Sequence, residues 1–488
     1  MRRRTAIWIA SLAGVLVVAT ATVGTLVYLE EHGPRLRGER ELVGMSAAEV
    51  AEEAEEEGEA EGKARPNGIT KQVWAAGMRV GDVTTAAAPG WTGQQLFDPT
   101  ADDWEPAVAF DPAGTYGYIL TTRYGAPKAC GNCPAHQIWL KRTVDNGATW
   151  SAATYLCPCS GTKAQNDPLI EVANDGSVYA AWMNDYAPGV VFARSTDHGL
   201  TWTAPKAVKS KAMHFTDKPI MAISPTGRDV YLAFNSSDSY VAASHDFGAT
   251  WGAPVKTNSD GRYYFAGGGA VLPNGTVVFT SSSFTQTSTG DVFVHVMRST
   301  NGGASWTQTQ VATTPEQPTC VALDCPVDYY GTIPALAADA GGKLVLTYTG
   351  PTVAKGPQRV YAIRSADGGL TWSAPQDLGG PSGANANFSA ITGRGTGDFR
   401  MYFMDSRNGP DAWNTWYRAS TDGGVTWSAE VRISDATAGP AYVTTGGFFE
   451  PYGDYGEIAT TSTGKTVAVW GEGPDYRGPG GVWINRGL

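Results

Sequence analysis

The stretch RSADGGLTW at residues 364–372 is polar at its centre, rich in glycine and closed by a large aromatic. Near-copies stand at 142–150 (RTVDNGATW), 194–202 (RSTDHGLTW), 243–251 (ASHDFGATW), 298–306 (RSTNGGASW) and 419–427 (ASTDGGVTW). The closing tryptophans, Trp150, Trp202, Trp251, Trp306, Trp372 and Trp427, lie 52, 49, 55, 66 and 55 residues apart. That period suits a repeated unit of four short strands, the size of one propeller blade.

One repeat can be read strand by strand. In PLIEVANDGSVYAAWMNDYAPGVVFARSTDHGLTW, the first strand (169–173) turns at Asn174-Asp175-Gly176 into a second (177–183). A loop leads to a third strand (189–194), and a fourth begins at Thr201-Trp202. The box therefore occupies the turn between third and fourth strands. There its Asp accepts backbone N–H groups, its glycines take positive φ, and its Trp packs across the hairpin. Asn301 in place of Asp in the fourth copy fits a turn residue better than a catalytic one.

First strands set the number of blades. Candidates follow Glu105, Asp167, Asp217, Tyr264, Asp328, Asn387 and Asp454, which gives seven, with six as the alternative. After Asp454 only three strands fit, so the fourth strand of the last blade should come from residues 70–100, closing the ring and removing its open edges. The expected fold is all-β, a propeller of four-stranded blades over residues 70–488. Glycine (60), tryptophan (16) and tyrosine (21) are abundant and the charged fraction is 17%, which agrees with short strands and tight turns.

Ahead of the repeats, residues 1–5 are short and basic, and residues 6–29 form an uncharged, mainly apolar run. As a helix that run can cross about 30 Å of hydrocarbon. A transmembrane signal-anchor is expected, with Ala19-Thr20-Ala21 leaving a cleavable signal peptide as the alternative. Arg2, Arg3 and Arg4 on one side are matched by Arg35, Arg37 and Arg40 on the other, so charge hardly orients it. Residues 30–69 read as an acidic, flexible stalk. Beyond residue 65 the chain holds 28 Lys+Arg against 35 Asp+Glu, which gives no sign of nucleic-acid binding.

The six cysteines fall as Cys130/Cys133, Cys157/Cys159 and Cys320/Cys325. In an exported chain an even number favours disulfides, whereas CxxC followed by CxC could supply four thiolates to zinc. Either arrangement would staple two neighbouring loops of the first blade. The expected location is a cell membrane crossed once, with the propeller outside the cytoplasm.

The starts of the first strands should share one face, the mouth, with the loops at 123–136, 183–189, 403–413 and 471–480, while the boxes lie on the opposite face. Topology then gathers Glu105, Asp167, Asp217, Asp328 and Asp454 around one axis, beside Trp104, Tyr264, Tyr329 and Tyr455. Aromatic faces stack on sugar rings and carboxylates accept hydroxyl hydrogen bonds, so a glycan or a cell-surface protein is the expected partner. A pair among Glu105, Asp167, Asp217 and Asp454 could also hydrolyse a glycosidic bond. Such an acidic residue could equally serve the fold alone, by capping backbone N–H groups. No metal-binding His pair and no phosphate-binding glycine loop stand out, so neither metal nor cofactor is expected.

The six S-x-D-x-G-x-T-W boxes resemble the Asp-box (BNR) repeats of the sialidase superfamily, over roughly residues 75–488. The resemblance implies a propeller, six-bladed in sialidases, and leaves function open between hydrolases, receptors and assembly factors. Sialidases hold the substrate carboxylate with three arginines, the first in an Arg-Ile-Pro motif. Here that place reads Trp104-Glu105-Pro106. The family's acid/base aspartate would fall in 124–135, which has no carboxylate. Arg123 resembles the family's additional arginine, Arg407 and Arg477 could converge with it, and Tyr329, Tyr330 and Tyr455 are eligible as the nucleophile. These departures put recognition without turnover ahead of hydrolysis.

Overall fold

The computed structural model describes residues 88–488 apart from 125–126, 135, 157–163, 186, 210–212, 214, 286–289, 318–331, 410–412, 435–442, 445–446, 449–454 and 473–480. The expected membrane segment and stalk, Asp328, Tyr329, Asp454, Arg477 and the cysteines at 157, 159, 320 and 325 lie outside the described residues. Among the described residues, seven four-stranded antiparallel sheets form, together with one short hairpin, Val443–Thr444 with Gly447–Phe448. Six sheets are simple meanders. Their innermost strands are Asp102–Phe110, Gln165–Val172, Asp217–Ile223, Tyr263–Val271, Ala335–Ala338 and Ala386–Gly393.

The seventh blade closes the ring as the sequence predicts. Glu457–Thr460 pairs with Thr466–Glu472, which pairs with Gly481–Arg486, and the N-terminal Gln95–Leu96 supplies the outer strand. Gln95 stands opposite Ile484 and Leu96 opposite Trp483. An isolated bridge from Trp91 to Gly487 extends this closure.

Each blade is sandwiched between two others, so its central strands are buried on both faces. Gly117–Tyr124 and Leu344–Pro351 are buried at every position, which explains runs such as LVLTYTGP that do not alternate. The core is accordingly divided among seven interfaces. One joins Tyr118, Leu120 and Ile138 of blade 1 to Ile170, Val178 and Trp182 of blade 2. Another joins Phe110 and Ile119 of blade 1 to Val467, Val469 and Val482 of blade 7, across the closure. Outer strands are mostly two or three residues long, as at Thr154–Tyr155 and Val431–Arg432, which limits pairing with other chains.

The box turns are built alike. In the fifth, Asp367 Oδ1 accepts the Thr371 N–H (2.9 Å) and Oδ2 accepts its hydroxyl (2.5 Å). Ser365 Oγ accepts the Gly369 N–H (2.9 Å), and Gly369 takes a φ of 85°. Asn301 performs the same task in the fourth box, accepting the Ser305 N–H (3.0 Å) and donating to its hydroxyl (2.8 Å). The threonine hydroxyl first, then the threonine N–H, hold Asp197, Asp246 and Asp367 down to about 2.

Arginines at the ends of four third strands tie a blade to the box of the next. Arg142 donates to His198 O (3.2 Å), Arg298 to Gly368 O (2.9 Å), Arg364 to Gly424 O (3.3 Å) and Arg486 to Asn146 O (2.8 Å). The last of these bridges the closure between blades 7 and 1. At these four places the arginine is a latch between blades.

Candidate functional site

The innermost strands surround a central cavity of about 810 Å³. At the mouth end of blades 1, 2, 3 and 6 the ladder with the second strand slips, between Trp104 and Ala107, Asn166 and Leu169, Asp217 and Ile220, and Asn387 and Ala390. At the slip Glu105, Asp167, Lys218 and Phe388 take φ values of 52°, 49°, 42° and 54°. Residues with a Cβ adopt that conformation at a cost of order 1–3 kcal/mol. Pro106, Pro168 and Pro219 follow in three of the four, and a residue without an N–H suits a bulge that leaves the ladder.

The side chains at this shared place differ. Blades 1 and 2 present carboxylates, blade 3 an ammonium and blade 6 a ring. The structure thus corrects one member of the expected acidic ring: Lys218, not Asp217, is the counterpart of Glu105 and Asp167. Asp217 stands one residue earlier, 1% exposed, with its Oδ1 2.6 Å from the Lys218 N–H and its Oδ2 3.5 Å from Asn235 Nδ2.

Glu105 is 2% exposed and crowded with donors. The Thr122 hydroxyl donates to one oxygen, as does the Asp167 N–H (2.8 Å), and the Tyr124 hydroxyl donates to the other (2.5 Å). Glu105 consequently fixes the strained backbone of Asp167 from the neighbouring blade. Asp167 Oδ1 in turn accepts the Tyr455 hydroxyl (2.9 Å) across the ring from blade 7. Asp167, Lys218 and Tyr455 all line the cavity, and Lys218 Nζ lies 5.8 Å from the centre of the Tyr455 ring. Behind Glu105 the Tyr124 ring packs on His136 (centroids 4.2 Å apart), which burial pushes down to about 4. That imidazole is neutral at pH 7.

Several expected contacts are committed elsewhere. Trp104 is fully buried, with its indole N–H on Asp102 (3.0 Å), and offers no open stacking face. Tyr264 is likewise buried and donates to the Asp260 carboxylate (2.9 Å). Arg123, 2% exposed, makes a two-pronged pair with Asp103 (2.9 Å), reaches Asp98 (2.8 Å) and lies 3.9 Å over the Trp139 ring. Arg407 pairs with Asp405 (2.6 Å) and Glu430 and covers Trp416 at 3.7 Å. These two arginines belong to blades 1 and 6, with blade 7 between them, and each is already neutralised. No convergence on a shared ligand is seen between them.

Besides Lys218, two channel residues escaped the sequence reading, Glu171 and Glu457, which line the cavity from blades 2 and 7. Burial pushes Glu457 up to about 8, against the Val108 N–H it accepts (2.7 Å), and the charge of Glu171 adds to the rise. Burial alone pushes Glu171 up to about 7. The channel therefore carries carboxyls that hold protons near neutral pH, between walls that include Leu169, Ile220, Leu336 and Ile391. Nothing in PLIEVAN or GEIATT marked them, because their property comes from neighbours on other blades. The x-Pro dipeptides at Glu105, Asp167 and Lys218 were the available signal for the bulges.

Residues 275–397 match the model of the BNR repeat-like domain family. Over 131 residues, 22% of this chain, the sequence is 34% identical to a sialidase of Micromonospora viridifaciens, and the match spans 20% of that protein's length. Among solved structures, a Hadza microbial sialidase aligns at 14% identity over 72% of this chain and 73% of its own, with a TM-score of 0.43. A Dyadobacter fermentans protein of unknown function aligns at 13% identity over 82% of this chain and 99% of its own, with a TM-score of 0.46. An ulvan lyase of polysaccharide lyase family PL25 aligns at 12% identity over 81% and 95%, with a TM-score of 0.45. Six boxes on a closed ring define the class, a β-propeller built from Asp-box repeats. The described residues form a seven-bladed β-propeller, and its stretch 275–397 is similar to the BNR repeat-like domain family.

Proposed function

We propose that this propeller recognises a saccharide at its mouth without turning it over. The observation that carries the reading is the contact of Asp167 with Tyr455 beside Lys218, at the opening of a large cavity. A carboxylate acceptor, a phenol with an aromatic face and an ammonium suit a polyhydroxylated ring, which needs both stacking and hydrogen bonds. Hydrolysis asks for two carboxyl groups free to act on one bond. Glu105 is filled by three donors, which supports a positioning role for it and favours recognition.

A second reading, a glycoside hydrolase, draws on Glu171 and Glu457, since a carboxyl protonated near neutrality is what a general acid requires. The proposal extends to the setting of the domain. Residues 6–29 anchor it in a membrane with the propeller outside the cytoplasm.

Screening the exported domain on a glycan array, together with release assays on chromogenic glycosides, separates these readings. Saccharide binding without release is the expected result. Release that disappears in Glu457→Gln supports the hydrolase instead, and capture of a protein partner with no saccharide bound defeats both.

A further inference from the structure

The loop between the second and third strands of blade 1 carries Cys130 and Cys133, joined as a disulfide with Cα atoms 5.1 Å apart and three positions of separation. Contrary to the expectation of a staple, this bond links no strand to another and no blade to another. The same turn is closed by the Cys133 N–H on Cys130 O (3.2 Å). The loop is also pinned by Gln137, which donates to Pro134 O (2.8 Å) and accepts the Ala129 N–H (3.0 Å). Closing so short a loop restricts the unfolded chain little. A structural staple is thus a poor account of the bond.

Access to the two sulfurs is unequal. Cys130 is exposed, and Cys133 is 8% exposed. Exposed disulfides are the ones that exchange readily. Because Gln137 holds the turn independently, both thiols stay within reach of each other after reduction and can close again.

We propose that Cys130 and Cys133 are a redox-active pair on the rim of the mouth, exchanging with an external dithiol through Cys130. The thiolate of the dithiol attacks Cys130 Sγ, the Cys130–Cys133 bond breaks, and Cys133 leaves as a thiolate and takes a proton. The second thiol of the reductant then attacks its own sulfur in the mixed disulfide and releases Cys130. Two electrons and two protons pass to the protein, and the dithiol becomes a disulfide. This inference does not depend on the ligand of the mouth.

The test equilibrates the intact chain in graded dithiothreitol and glutathione buffers, traps thiols with a maleimide and maps labelled peptides by mass. Both Cys130 and Cys133 should gain label together while tryptophan fluorescence still reports the folded propeller. In Cys133→Ser, oxidised glutathione should add to Cys130; in Cys130→Ser, Cys133 should stay unmodified. Three results overturn the proposal: a pair that opens only as the fold is lost, glutathione on Cys133 rather than Cys130, or thiols found reduced around one zinc per chain. The titration of the unaltered chain decides the matter even if a variant fails to fold.

Discussion

The two faces of the ring solve opposite problems. On the box face, the same turn recurs in six blades, each polar group is met within five residues, and an arginine of one blade holds the carbonyl of the next. On the mouth face, the corresponding bulges hold Glu105, Asp167, Lys218 and Phe388, all with positive φ, and hydrogen bonds run from blade to blade, from the Asp167 N–H to Glu105 and from Tyr455 to Asp167. Repetition belongs to the face that builds the ring. Variation combined with strain belongs to the face that can be put to use.

The sharpest way to test this contrast uses a mouth-side residue with a purely structural role. Arg123→Ala strips Asp103, 1% exposed, of its two-pronged partner. A loss of about 3–5 kcal/mol is expected in urea unfolding, because a buried charge is left uncompensated. A loss under about 1 kcal/mol would mean that Arg123 is not committed to the fold and is open to a ligand.

On the box face, Ser365→Ala removes the acceptor of the buried Gly369 N–H. The expected loss is about 1–3 kcal/mol, with saccharide binding unchanged. Should binding fall while stability holds, the roles of the two faces would be exchanged.

The box turns and the channel also differ in the sign of their response to pH. Asp197, Asp246 and Asp367 are held down to about 2, so their folded forms release protons more readily than the unfolded chain. Their contribution is present above pH 3.8 and is lost as pH falls towards 2. Glu171 and Glu457 are raised to about 7 and 8, so between pH 4.5 and 8 the folded chain holds protons that the unfolded chain gives up. Stability then falls as pH rises through that window. Thermal unfolding from pH 5 to 8 should show this decline, and Glu457→Gln should flatten it. An unchanged slope in Glu457→Gln would show that its carboxyl is not the group responsible.

The same contrast explains what could be read from the sequence. Boxes and blade number follow from hydrogen bonds and periods that are local in the chain, and closure by the N-terminal strand follows from the fourth strand that the last blade lacks. Asp167 and Tyr455 were also within reach, because strand starts must meet at the axis. Trp104 and Tyr264 misled, since an aromatic at a strand start can turn into the blade as easily as towards the channel; here Trp104 packs on Tyr124 and Tyr264 reaches Asp260. Lys218 was passed over because a one-residue bulge shifts which neighbour faces the axis. Glu171 and Glu457 needed the fold, since their protons are held by burial among residues far away in sequence.

The measurement that bears most directly on the division between the faces is the affinity of Tyr455→Ala and Asp367→Ala for the saccharide selected on the array. Tyr455→Ala should weaken binding by about tenfold or more, through loss of its ring and of its hydrogen bond to Asp167, with an unfolding midpoint near that of the unaltered chain. Asp367→Ala should lower the midpoint and leave the affinity as it was. Full affinity in Tyr455→Ala with binding abolished in a folded Asp367→Ala would contradict the account.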